Sequence, residues 1–164
     1  MLGLAFLLLG LMIPAFQSMA RGSCRQAAIG SVIARLEAAR ATAIAEGRPV
    51  SLVLAAPQKP GEGHRATALY CQPEDRDLPP RRIGGWEPLP AGFVLEEDAA
   101  LERLPTAPTA PGVRQHAALP CLVFGPTGAL ESARPSPRLV LKAPGGACEQ
   151  IAIARFTGRC RREP

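Results

Sequence analysis

The stretch that decides the fold is residues 1–47, MLGLAFLLLGLMIPAFQSMARGSCRQAAIGSVIARLEAARATAIAEG. Its first 20 residues carry no charged side chain, and a helix of that length spans about 30 Å, the hydrocarbon thickness of a bilayer. Apolar residues then continue at spacings of three and four, between charged ones, from Ala27 to Ile44. We therefore predict one helix with a transmembrane half, residues 1–20, and an amphipathic half, residues 21–47. Gly47 and Pro49 are typical of a helix end.

The remaining residues, 48–164, have room for one compact β-rich domain. Apolar residues make up 47% of the chain but aromatic ones only 4%, so aliphatic side chains must build the core. The net charge of +5 is a mild excess, which by itself indicates no nucleic-acid partner. The overall prediction is an α+β protein in which a long N-terminal helix packs on an antiparallel sheet.

We predict about six short strands from β-branched and apolar runs bounded by turn residues. Val50–Ala56 and Thr67–Cys71 form a hairpin, and Arg138–Ala143 and Gln150–Phe156 form another through Pro144-Gly145-Gly146. Two more strands are predicted at Phe93–Glu96 and Cys121–Phe124. The segments Gln72–Gly85 and Asp98–Leu119 read as loops, and long loops are often functional. We therefore expect binding surfaces in Asp98–Leu119.

The five cysteines do not have the spacing of a zinc site, and no CxxC pair occurs. In an exported domain, Cys71, Cys121, Cys148 and Cys160 allow two disulfides in three pairings. The alternative is that they are buried free thiols, which pack as small hydrophobic groups. The sequence leaves both alternatives open.

Several motifs together resemble one family. The helix ends in Ala39-Arg40-Ala41-Thr42-Ala43-Ile44-Ala45-Glu46-Gly47-Arg48-Pro49-Val50, and it is followed in order by Trp86–Gly92 (WEPLPAG), Phe124–Gly128 (FGPTG) and Ile151–Arg159 (IAIARFTGR). This series resembles the GspH/FimT-type pseudopilins, the minor pilin subunits of type II secretion systems and type IV pili.

The resemblance implies a function in assembly. It implies a single-pass protein of the bacterial inner membrane, with its C-terminal domain in the periplasm and other pilin or pseudopilin subunits as partners of its N-terminal helix. The family begins with a basic leader and a Gly-Phe-Thr-Leu-x-Glu type processing site, which this sequence lacks. We expect that the start is truncated; loss of the processing site is the alternative.

Four helix residues are candidates for packing and assembly, namely Pro14, Ile29, Ile33 and Leu36. Pro14 leaves the Gly10 carbonyl without its helical hydrogen bond. The resemblance implies local melting of the helix there during assembly; a tolerated kink is the alternative. Most of the stripe from Ile29 to Ile44 is expected to pack on the protein's own sheet, and the rest on helices of other subunits.

The C-terminal residues Gly158-Arg159-Cys160-Arg161-Arg162 concentrate positive charge that phosphates would attract. FimT-like members of the resembling family that take up DNA carry a G-R-x-R motif, which Gly158, Arg159 and Arg161 match. The resemblance therefore implies sequence-independent DNA binding through Arg159, Arg161 and Arg162. The alternative is a solvated, frayed terminus.

Other classes of function receive less support. His64 and His116 are accompanied by no Gly-x-Ser-x-Gly sequence, metal-ligand spacing or phosphate loop, so we predict no enzyme activity, cofactor or metal. Ser18-Met19-Ala20 is similar to a signal-peptidase site. Cleavage there would release a periplasmic binding module that begins at Arg21.

Overall fold

The computed structural model describes residues 2–57, 62–73, 78–96, 101–104, 118–131 and 137–163, with side chains from Gly22 onward. A single helix, α1 (Leu2–Glu46), precedes all the strands, as predicted. Gly47 has φ of 63°, and the Arg48 N–H donates to the Ala43 carbonyl at 3.3 Å. This is the Schellman arrangement, in which a left-handed glycine ends the helix. Among the residues with described side chains, no helix is long and apolar enough to cross a membrane.

Nine strands are present in the described residues, and every pairing between them is antiparallel. The larger sheet has the order β3-β2-β1-β6-β5 and the smaller sheet the order β4-β7-β8-β9. The strands are β1 (Val50–Leu54), β2 (Ala66–Cys71), β3 (Arg81–Pro88), β4 (Val94–Glu96), β5 (Glu102–Leu104), β6 (Leu119–Phe124), β7 (Arg138–Lys142), β8 (Cys148–Ile153) and β9 (Cys160–Glu163).

The strands predicted from apolar runs are found where expected. β1 pairs with β2, and β7 pairs with β8 across a turn in which the Gly146 N–H donates to the Ala143 carbonyl. The fold class, a long helix packed on antiparallel sheets, is confirmed.

Two predictions of irregular chain are wrong, and so is the alternative of a frayed C-terminus. β3 begins within the predicted loop Gln72–Gly85, β5 lies within the predicted loop Asp98–Leu119, and β9 orders the C-terminal residues. All three are edge strands of their sheets, which receive their order from backbone hydrogen bonds to one neighbour rather than from apolar alternation. Most of the loop that we expected to bind, residues 98–100 and 105–117, lies outside the described residues.

The main core lies between the helix and one face of each sheet. The helix contributes a buried stripe at a spacing of three to four residues, as the amphipathic half predicts: Ala28, Ile29, Val32, Leu36, Ala39 and Ala43. The larger sheet adds Leu52, Leu54, Leu69, Leu122 and Phe124, and the smaller adds Leu139, Leu141, Ile151 and Ile153. Ala27 and Ile44, two members of the predicted stripe, are instead exposed.

All five cysteines are free thiols. The alternative of buried free thiols holds for Cys71 and Cys121, whereas Cys148 is exposed and Cys160 is half-buried. Cys71 belongs to the main core, whereas Cys121 belongs to a second apolar cluster that includes Val53 and Tyr70. Cys148 begins β8, and Cys160 pairs with Ile153 at the other end of the same strand. At about 3.3 Å per residue the two cysteines are therefore roughly 17 Å apart, which is too far for a disulfide. Burial raises the pKa of the Cys121 thiol to about 12, as expected for a small core group.

Candidate functional site

The turn before β9 brings the C-terminal arginines into the fold. The Gly158 N–H donates to the Ala154 carbonyl at 2.7 Å, and the Ala154 N–H donates to the Arg159 carbonyl at 2.9 Å. Gly158 has φ of 62°, and a Cβ at this position would overlap the Gly128 carbonyl oxygen. Only glycine fits such a conformation and approach. The glycine of the predicted G-R-x-R motif therefore closes the turn that starts β9.

β9 presents its side chains alternately to the two faces of the smaller sheet. Arg162 pairs with Ile151 of β8, so it lies on the face that meets the helix, whereas Arg161 pairs with Ala152 on the outer face. Arg161 and Arg162, which the sequence alone does not distinguish, thus have different surroundings.

Arg162 belongs to an ion-pair network that ties β9 to β8 and to the helix. Its Nε and Nη2 atoms donate to Glu149 Oε2 and Oε1 at 2.8 and 2.9 Å. Arg25 of the helix also pairs with Glu149, whose side chain is only 5% exposed. The hydrogen bonds from Arg162 hold the pKa of the Glu149 carboxyl below its usual value, with burial opposing this shift. Such bidentate contacts are geometrically specific, so we assign Arg162 a structural role.

Arg159 and Arg161 differ from Arg162 in their partners. All three are exposed, but in the part of the chain that the structure describes neither Arg159 nor Arg161 forms an ion pair with a carboxylate. Arg155, at the other side of the turn, is likewise exposed and unpaired among these residues. The turn and the outer face of β9 therefore carry positive charge that the described carboxylates leave unneutralised.

Phe156, which lies in the same turn, was not among the candidate residues predicted from the sequence. Its side chain is 86% exposed, against 56% for Leu78 and 47% for Ile44, the other exposed large apolar side chains of the described residues. The sequence signal was an aromatic residue between Arg155 and Arg159 in a stretch that also contains Gly158. Because we assigned Phe156 to the end of a strand, its exposure was not expected.

The candidate assembly residues of the helix fall into three groups. Ile29 and Leu36 are buried in the protein's own core, and Ile33 packs partly against it. Pro14 lies within the helix backbone, but its side chain is outside the described residues. The side of the helix opposite the core instead exposes small residues at helical spacing, namely Ala27, Gly30, Ala34, Ala41 and Ala45.

A cleft of about 490 Å³ lies between the two sheets and is lined by Glu62, His64, Glu96 and Arg103. Its polar groups have structural partners. His64 Nδ1 is 2.5 Å from the Ala55 carbonyl oxygen, and Lys142 Nζ donates to Glu96 at 3.0 Å. Among the described residues no group of three or more His, Cys, Asp or Glu side chains that could hold a metal ion occurs.

Comparison with known proteins gives one family. The model of the GspH family, described as type II transport protein GspH, matches residues 28–156, which is more than half of the chain. The match begins at Ala28, where the buried stripe of the helix begins. No protein of curated function matches the sequence.

A solved structure supports the fold. The crystal structure of the type IV minor pilin FimU from Pseudomonas aeruginosa is similar, with a TM-score of 0.51 and 19% sequence identity over 85% of this chain and 92% of that chain. At this identity the likeness concerns the arrangement of the helix and sheets alone.

Proposed function

This chain belongs to the GspH family of type II transport proteins, and we propose that it acts as a minor pseudopilin subunit that assembles with other pilin-like subunits. Its family role is structural, in type II secretion or type IV pili, and the prediction that it is not an enzyme is confirmed by the family. The single observation that carries the proposal is the continuous 45-residue helix, whose described side chains pack against the β-domain from Ala28 onward.

The N-terminal half of the helix is the proposed membrane anchor. Residues 1–20 carry no charge, and among the described side chains, from Gly22 onward, the buried stripe starts at Ala28. An uncharged run of this length is suited to the hydrocarbon of a bilayer. We infer a subunit held in the bacterial inner membrane by residues 1–20, with residues 48–164 in the periplasm.

The outward side of the helix is the proposed contact with other subunits. Its exposed residues Gly30, Ala34, Ala41 and Ala45 are small, and small side chains allow two helix backbones to approach closely. Ile29 and Leu36 are already used within the subunit, so we assign intersubunit packing to this outward stripe, with Ile33 at its border.

The anchor is tested by the native N-terminus and location of the protein. Mass spectrometry of the membrane fraction should find the protein there with residues 1–20 retained. A protein that begins at Arg21 and is found in the soluble fraction would instead show cleavage of residues 1–20 and overturn the filament assignment.

The subunit contact is tested by adding bulk to the outward stripe. Ala34→Leu should prevent incorporation into the assembly without changing the unfolding temperature, since Ala34 is exposed. Gln150→Leu, which adds an exposed apolar group on the outer face of the smaller sheet, is the matched control and should assemble normally. Normal assembly of the Ala34 variant would place the contact elsewhere.

A second candidate function is DNA binding by the outer face of β9. The exposure of Arg159 and Arg161 and their lack of a carboxylate partner in the described part of the chain favour it, since such guanidinium groups can meet phosphates. Arg159→Ala with Arg161→Ala should weaken duplex binding at low salt and lower the salt slope by about two. Arg65→Ala with Arg81→Ala, an equal loss of exposed charge, is the control. Unchanged binding in the first variant would remove these arginines from consideration.

A further inference from the structure

The turn from Ala154 to Arg159 displays an aromatic side chain in a fixed setting. Phe156 is the most exposed of the large apolar side chains that the structure describes. Besides the two hydrogen bonds that close the turn, the Leu130 N–H donates to the Arg155 carbonyl at 2.8 Å, and the Arg159 N–H donates to Thr157 Oγ1 at 3.4 Å. An aromatic side chain on a fixed turn loses little conformational freedom on binding.

Phe156 lies between two positively charged side chains. Arg155 and Arg159 are exposed and have no carboxylate partner in the described ranges. By contrast, most of the described carboxylates are already engaged in ion pairs: Glu37, Glu62, Glu87, Glu96, Glu149 and Glu163. The turn thus carries positive charge that the described carboxylates of its own subunit do not neutralise. The complementary partner is an acidic surface.

The position of the turn indicates what kind of partner presents that surface. Gly158 packs on Gly128, and a Cβ at Gly128 would in turn meet the side chain of Ile44, which is exposed on the helix. The turn is thus continuous with the side of the helix that meets solvent. A subunit that packs along this helix would lie within reach of the turn.

We propose that Phe156 enters an apolar pocket of a neighbouring, acidic pilin-like subunit, while Arg155 and Arg159 pair with carboxylates at the rim of that pocket. Aromatic and arginine side chains are the types that dominate binding energy at protein interfaces. This inference rests on the proposed function and adds to it the surface and the chemistry of the partner.

The experiment places a photo-crosslinking amino acid at position 156 of the full chain in cells that assemble the system. We expect a crosslinked product whose second component is a pilin-like subunit, joined through a peptide rich in Asp and Glu. The same probe at Leu78, the next most exposed large apolar side chain among the described residues, is the control and should not give this product.

Charge reversal sharpens the test. Arg155→Glu with Arg159→Glu should reduce the crosslink about tenfold or more, because like charges would then meet at the rim. Arg65→Glu with Arg81→Glu changes the net charge equally at exposed sites outside the turn and should leave the crosslink intact. An equal reduction in both double variants would show a general charge effect and contradict docking at the turn.

The remaining outcomes separate this inference from the proposed function. A crosslink to a second copy, to DNA or to a protein without an acidic contact peptide, or no crosslink, overturns the inference. A parallel probe at Ala34 reports assembly through the helix. If the Ala34 probe captures pilin-like subunits and the Phe156 probe does not, the proposed function stands and the docking surface is wrong. If neither captures them, the proposed function fails as well.

Discussion

The helix–sheet interface and the C-terminal turn use the same residue types in opposite ways. At the interface Leu36 is fully buried, and Arg25 pairs with Glu149. At the turn Phe156 is 86% exposed, and Arg155 has no carboxylate partner within the described residues. Apolar side chains and arginines thus stabilise the fold in one place and lie exposed in the other. Residue type alone therefore does not show whether a side chain stabilises the fold.

The largest expected effect belongs to the interface. Leu36→Ala removes a fully buried side chain from the core and should lower the free energy of unfolding by about 2–5 kcal/mol. Phe156→Ala should change it by less than about 0.5 kcal/mol, because little area is buried there. Urea unfolding of the full chain in mild detergent measures both. If both variants lost the same free energy of unfolding, the contrast between a buried interface and an exposed turn would be wrong.

The second prediction concerns the backbone of the turn. Gly158→Ala places a Cβ at positive φ and against the Gly128 carbonyl, which should cost about 1–3 kcal/mol. Gly85→Ala has open space and an ordinary φ, so thermal unfolding of that control should be nearly unchanged. A Gly158 variant as stable as the wild type would show that the turn is not held as described.

The third prediction links Glu149 to pH. The folded pKa of Glu149 lies below its usual value of 4.5, so its ionised form contributes stability that is present above pH 4.5 and is lost as pH falls through the folded pKa. Glu149→Gln should therefore cost about 1–3 kcal/mol at neutral pH, and the difference from wild type should shrink under acid.

The matched control for this pH dependence is Glu163→Gln. Glu163 is 36% exposed and pairs with Arg138 at 3.5 Å, and exposed pairs contribute about 0–1 kcal/mol. Unfolding midpoints measured across the acid range compare the two variants. A cost at Glu149 that does not depend on pH would show that its ion pairs contribute no stability.

The smallest predicted difference separates two adjacent arginines. Arg162→Met removes the bidentate contact with the buried Glu149 and should cost about 1–2 kcal/mol, reduced by the partial exposure of Arg162. Arg161→Met, on the outer face, should cost less than about 0.5 kcal/mol. The paired melting temperatures test whether β9 has the register described, since a shift by one residue would exchange the two results.

The sequence predicted the parts of the fold that depend on local chemistry. The helix, its end at Gly47 and the pairing of β7 with β8 follow from periodicity, capping and turn residues, which act over a few neighbouring positions. The family resemblance likewise depended on short motifs in a fixed order, and the family match confirmed it.

Only the tertiary structure determined the edge strands and the two roles of the C-terminal arginines. β3, β5 and β9 have little apolar alternation and are ordered by hydrogen bonds to strands distant in sequence. The register of β9 on β8 then directs Arg162 to Glu149 and Arg161 to solvent. The physical reason is that the face of a strand residue depends on which strand it pairs with and in which register, and both are properties of the folded sheet.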